Sequence, residues 1–286
     1  MTSEVMAPGR PRRIIAGVPS PPPPSPSGHV GVLLREWRAA RRMSQLDLAL
    51  EADVSARHLS YVETGKAQAS RDMIARLADV LAMPLRERNA LLIAAGYAPE
   101  YRETPLTTPQ MAPVLRAIEL ILEQQEPYPA FVTNRYWDLV LANGGADRLV
   151  GFLREGGPRH PNVMRQVFDP NDMRPYIGNW EEAAGDLIRH LHDEVAAAPS
   201  DARARALLDE VLNYPDVPPR WRTREPGAEP LPLMTTVFQK DGREWRFFST
   251  LTTFGTPRDV TLDELRIECM FPMDEDAAEL CRSLAG

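Results

Sequence analysis

The sequence predicts two units of different class: an all-α domain of five short helices, followed by an α+β domain with five strands. Three observations predict this. Five apolar stripes at helical spacing crowd between Val30 and Ala95. A break containing Pro99, Pro105, Pro109 and Pro113 follows. Beyond it, β-rich runs stand on either side of a helical insert, two before it and three after. A chain of 286 residues has room for two such domains.

Each element has its own signal. Residues 1–29 hold the run Pro21 to Pro24 and little apolar periodicity, so a disordered, solvated Pro-rich tail is expected, the alternative being that Arg10, Arg12 and Arg13 form a basic arm that reaches DNA phosphates. The first stripe is Leu33, Leu34 and Trp37, the second Leu46, Ala49 and Leu50, the third Leu59 and Val62. Ile74, Leu77, Ala78 and Leu81 make the fourth, and Leu91, Leu92 and Ala95 the fifth. Ser44, Ser55 and Ser70 precede the second, third and fourth, as N-caps whose hydroxyls accept from orphan backbone N–H groups. Gly65 and Gly96 are stop signals. The five-helix domain is therefore placed at 30–96 and a linker at 97–113.

The second domain is placed at 114–276. Val114 to Gln125 reads as a helix that Pro127 and Pro129 end. Ala130 to Thr133 and Tyr136 to Ala142 read as strands joined by a tight turn at Asn134-Arg135, and Asn143 caps a following helix. Residues 161–213 are mostly helical, with interruptions at Pro170, Pro175 and Pro199. Strands are expected at Leu233 to Gln239, Glu244 to Thr253 and Leu265 to Phe271, with Asp241-Gly242 as a hairpin turn. Residues 277–286 are expected as a tail.

Composition narrows the class. Hydrophobic residues are 43% of the chain, enough for packed cores. No run approaches the roughly 18 apolar residues of a membrane span, and the first 30 residues lack the apolar region of a secretory signal. Cys269 and Cys281 alone make neither a disulfide framework nor a zinc cluster, which fits a cytoplasmic location. The net charge is −7, but it is unevenly spread: residues 1–100 hold 13 Lys+Arg against 10 Asp+Glu, and the remainder 20 against 30. Phosphate contact needs local positive charge only, so the acidic total does not exclude nucleic acid.

The segment Ser44 to Lys66, SQLDLALEADVSARHLSYVETGK, has the pattern of a helix-turn-helix. Ala49 is small enough for two helices to cross closely. Asp53 stands where the turn wants a residue tolerant of positive φ, a position glycine usually fills. Val54, Leu59 and Val62 pin the second helix, leaving Ala56, Arg57, Ser60 and Tyr61 facing outward. This stretch resembles the phage-repressor and Xre-like class. The resemblance implies that Gln45 meets a phosphate or base edge, that Ala56, Arg57 and Tyr61 read bases, and that Thr64 and Lys66 meet the backbone. It also implies an Arg38–Glu63 ion pair. Arg57 suits a bidentate pair with guanine. Ser55 and His58 complete the expected contact set, with packing the alternative role for His58.

A larger resemblance is carried by PLRERNALLIAAGYAP at 84–99, PYPAFVTNRYWDLVLAN at 127–143, NVMRQVFDPNDMRPYIGNW at 162–180 and FFSTLTTFGTPRDVTLDELRIECMFPMD at 247–274. Together these resemble the MmyB-like regulators. The resemblance implies an Xre-like helix-turn-helix joined to a PAS-like ligand-binding domain, whose five-stranded antiparallel sheet cups a cavity. It further implies a transcription regulator that senses a small lipophilic molecule such as a fatty acid. Candidate pocket residues are Phe131, Tyr136, Trp137, Phe168, Tyr176, Trp180 and Phe248, with Arg165, Arg174 and Asn179 as anchors for a carboxylate. The alternative for the aromatics is plain core, and for the arginines surface ion pairs. The expected partners are an operator in double-stranded DNA, the small ligand and a second copy of the chain. A second reading makes the C-terminal domain a protein-interaction module on a constitutive DNA-binding adaptor.

No enzyme, cofactor or metal is expected. His190 and His192 lie two apart and face different ways on a helix. Asp169-Pro-Asn-Asp172 lacks the rest of a calcium loop, and neither a GxSxG elbow nor an HExxH helix occurs.

Overall fold

The computed structural model describes residues 12–13, 30–223 and 233–286. The first domain consists of α1 (Val30–Ala40), α2 (Gln45–Glu51), α3 (Ala56–Glu63), α4 (Arg71–Val80) and α5 (Leu85–Ala94). Ser44, Ser55 and Ser70 cap α2, α3 and α4 through their side chains, and Ser44 forms a reciprocal capping box with Asp47. Trp37, Leu34, Leu48, Leu59 and Leu77 close the core. The second apolar stripe needs correction. Leu46 and Leu50 are 67% and 79% exposed, whereas Leu48 and Ala49 are buried. Two helical residues apart is 200°, so alternating leucines cannot share a face; Leu48 took the inner one.

The second domain opens with α6 (Ala112–Gln124) and β2 (Ala130–Thr133), β3 (Leu139–Ala142), α7 (Gly144–Leu153) and α8 (Val163–Phe168). It continues with α9 (Trp180–Ala197), α10 (Ala202–Val211), β4 (Met234–Lys240), β5 (Arg243–Thr252), α11 (Val260–Asp263), β6 (Arg266–Pro272) and α12 (Glu275–Ala285). The five strands form one antiparallel sheet in the order β3-β2-β6-β5-β4. A two-residue strand, β1 (Arg12–Arg13), pairs with β3 at the edge. The rest of the expected tail at 1–29 lies outside the described residues.

Two elements differ from expectation. The strand expected from Tyr136 begins at Leu139, because Asn134 accepts from the N–H groups of Tyr136 and Asp138 at 2.9 and 3.0 Å and closes a local turn. Trp137 sits in that turn at φ 63°. Residues 277–285, expected as tail, belong to α12, whose Ala277 and Cys281 are buried against α7 and the sheet. The hairpin at Asp241-Gly242 takes φ 50° and 77°, the left-handed pair that a tight antiparallel turn requires.

The sheet's two faces do different work. Val132, Leu141, Ile267 and Cys269 pack with Ile118 and Leu122 of α6 into a closed core. Phe131, Ala142, Glu268 and Met270 point the other way, toward α7, α8 and α9.

The first domain docks on the second through ion pairs. Arg86 of α5 grips Glu264, after α11, at 2.6 and 2.9 Å and Glu103 of the linker at 2.6 and 3.0 Å. Glu87 accepts from Ser200 at 2.8 Å and lies 3.6 Å from Arg135, which pairs with Asp201 at 2.7 Å and Glu264 at 3.1 Å. Burial opposes the charge on Arg86, but Glu264 and Glu103 outweigh it and raise its pKa. The backbone N–H of Leu85 donates to Asp263 at 3.1 Å, and Ala198, at the end of α9, packs into the core of the first domain.

Candidate DNA-reading face and ligand cavity

The turn between α2 and α3 is built as a helix-turn-helix requires. Asp53 takes φ 51°, and the N–H of Val54 returns to the carbonyl of Ala49 at 2.9 Å. Arg38 of α1 holds Glu63 at the end of α3 with two bonds of 2.9 and 3.0 Å. The Glu63 side chain is fully buried and also accepts from Gln45 at 2.7 Å. One carboxylate thus ties α1, α2 and α3 together. Gln45, expected at phosphate, is half-buried and engaged in this cluster. The Cβ that alanine would place at Gly31 would lie 2.3 Å from the Glu63 carbonyl oxygen, so α1 crosses α3 only because residue 31 is glycine. The sequence points to Ala49 as the small crossing residue, but the close approach of α1 to α3 falls at Gly31.

The outer face of α3 is polar and open. Arg57, His58 and Tyr61 are exposed, Ala56 and Ser60 are half-buried, and Ser55 caps the helix. Arg57 Nε donates to the Tyr61 hydroxyl at 3.1 Å, and its guanidinium lies 5.5 Å from the Tyr61 ring centroid. The i,i+4 pair presents a guanidinium braced by an aromatic ring. Thr64 donates to the Ser60 carbonyl at 2.7 Å, and Lys66 is exposed beyond Gly65.

The second domain holds a cavity of about 160 Å³ between the open sheet face and the helices. Phe131, Met234, Phe238 and Met270 line it from the sheet, Leu149 and Val150 from α7, Val167 from α8 and Leu187 from α9. The lining is mostly apolar; its acids are Asp147 and Glu268. Glu268 is 8% exposed, and burial pushes its carboxyl up to about 7 against the pull of the neighbouring Ser249 hydroxyl.

Of the ten expected pocket residues, Phe131 lines this cavity. Trp137, Phe168 and Trp180 belong to the α8–α9–α10 core instead. Tyr136 is buried, with the Arg203 guanidinium 4.0 Å from its ring centroid. Tyr176 packs near Trp245 and Phe247, and Phe248 stacks on Phe271 at 5.2 Å on the opposite face. Arg165 pairs with Glu210 at 2.7 and 2.8 Å. Arg174 lies 3.6 Å over Trp180 and donates to the Pro215 carbonyl at 2.6 Å. Asn179 joins α9 to β4 through Thr235 and Val237. Glu268 was missed: an acid inside an apolar strand run reads as an outward residue until the sheet is built. Its spacing from Met270, which shares a strand face, was the available signal.

Among the described residues, no group of three or more His, Cys, Asp or Glu is arranged to hold a metal, and no helix is long and apolar enough to cross a membrane. Cys269 and Cys281 are free and buried.

A helix-turn-helix with an open polar recognition face, docked on a domain with an apolar cavity, defines a DNA-binding transcription regulator with a ligand-binding domain. Residues 29–91 match a helix-turn-helix domain family, and residues 114–284 match the MmyB-like transcription regulator ligand binding domain. The chain belongs to the MmyB-like transcription regulators. No curated protein matches it.

Proposed function

We propose that this regulator binds its operator as a homodimer through α3 and releases or tightens it when a small lipophilic ligand, of the fatty-acid-like class, occupies the second domain. The observation that carries the reading is the apolar cavity lined by β6, the strand that α11 and Glu264 lead into. A ligand that moves β6 changes the position of Glu264 and hence of Arg86 on α5. Coupling of this kind is typically worth about 1–3 kcal/mol in operator affinity. The cavity also favours sensing over a closed protein-interaction module. Location in the cytoplasm follows from the same reading, and no catalytic role is proposed.

In this reading Arg57 supplies direct base readout, while Thr64, Lys66 and Ser55 meet the backbone. Gln45 keeps one amide N–H and its Oε1 free for DNA while it holds Glu63. Selection of sites from randomised DNA by the full-length chain tests the reading. Enrichment of a two-fold-related motif supports it, and Arg57→Ala should relax preference at one position of each half-site, worth about 1–3 kcal/mol. Recovery of unenriched sequence would overturn DNA-specific regulation. Mass spectrometry of the purified chain, native and then extracted, reports dimer and retained ligand together.

A further inference from the structure

We propose that the cavity selects a lipophilic molecule whose polar end donates a hydrogen bond, and that Glu268 is its acceptor. A hydroxyl, an amine or the protonated form of a carboxylic acid meets that requirement, and an ionised carboxylate does not. The inference rests on the ligand-sensing reading above and specifies its chemistry.

The geometry carries it. Glu268 stands on β6 opposite Phe131 of β2 and Leu251 of β5, so apolar side chains flank it on both neighbouring strands. It lines the cavity yet is more than nine-tenths buried. Among the described residues no arginine or lysine pairs with it, and the neighbouring Ser249 hydroxyl, itself buried, has no hydrogen-bond partner. Buried carboxyls elsewhere in this chain have cations: Glu63 has Arg38, Glu264 has Arg86 and Arg135. An acid left without one in an apolar cavity is costly unless something else supplies a donor. A ligand head group is placed to do so.

Both protonation states of Glu268 accept a hydrogen bond, so donor heads are recognised in either. Among the described residues that line the cavity, no cation meets an ionised carboxylate. The arginines expected as anchors are engaged elsewhere, Arg165 with Glu210 and Arg174 with Trp180 and Pro215.

The test uses six-carbon probes, matched to a cavity of about 160 Å³ by analogy with cavities of roughly 150 Å³ that take up benzene. Hexanol, hexylamine and hexanoate are titrated into the full-length chain at pH 7.5 by calorimetry. Hexanol and hexylamine should bind about tenfold or more tightly than hexanoate. In Glu268→Gln, which keeps shape and hydrogen bonding but removes the ionisable group, the preference for hexylamine over hexanoate should collapse. Hexanoate binding as tightly as hexanol to the native chain, unchanged in Glu268→Gln, overturns the role of Glu268 while leaving a lipophilic site in place. Binding of none of the three overturns this inference together with the sensing reading. The comparison of probes on the native chain decides the question even if the variant folds poorly.

Discussion

Glu63 and Glu268 are both buried acids, and their surroundings give them opposite work. Glu63 has a bidentate arginine and a glutamine amide, so its charge is spent holding three helices in register. Glu268 has burial, opposed only by the neighbouring Ser249, so its carboxyl rises from 4.5 to about 7. Because the folded value lies above the unfolded one, the folded state holds the proton longer. The associated stability is fully present below about pH 4.5 and is lost as pH climbs through 7. The full loss is on the order of 3 kcal/mol. Glu268→Gln does not titrate, so it should be more stable than the native chain at pH 8 by an amount approaching that figure, with the advantage shrinking at pH 5. Urea unfolding at the two pH values measures it. An equal difference at both would show that Glu268 is already neutral or already paired.

At the scale of the element, caps and turns explain why the first domain is so regular. Three serines cap three consecutive helices, each hydroxyl satisfying an otherwise orphan N–H. The helix ends are less well served. After α4, Ala82 takes φ 47°, while its N–H bonds to the Asp79 carbonyl and that of Met83 to the Ala78 carbonyl. That is a left-handed helix stop occupied by a residue with a Cβ. Ala82 is exposed, so its methyl group contributes little packing in return. Ala82→Gly should stabilise the chain by about 1 kcal/mol, read as a higher thermal midpoint. A fall in the midpoint would mean that glycine's greater freedom in the unfolded chain outweighs relief at this turn.

At the scale of the whole molecule, the two domains dock through a cluster of charged groups. Arg86 bridges the linker and the loop before β6, and Arg135 gathers Glu87, Asp201 and Glu264. These groups are largely withdrawn from water, so removing one partner strands the others. Arg86→Ala leaves Glu103 and Glu264 without it and should cost about 3 kcal/mol at the interface. Scanning calorimetry should then resolve two transitions, one per domain, where the native chain should give one. A single cooperative transition in the variant would place the coupling elsewhere, in the packing of Ala198 or the bond from Leu85 to Asp263.

The sequence by itself determined most of the elements and the reading head. Local chemistry is enough for these. Serine caps, the Asp53 turn, the Asp241-Gly242 hairpin and the period of the apolar residues all act within a few positions of the chain. The Arg38–Glu63 pair was legible only through resemblance, since 25 residues separate its members. Tertiary structure decided which leucines of α2 go inside, because alternation leaves two faces available and the core has room for one. It decided that α12 packs on the second domain. It also decided the cavity. Aromatic residues cluster in the sequence blocks that resemble the family, but most of them fill the cores beside the cavity, since large rings close space that they pack into. What lines the open space is set by strand register, which places Phe131, Glu268 and Met270 on one face through pairings between residues more than a hundred positions apart.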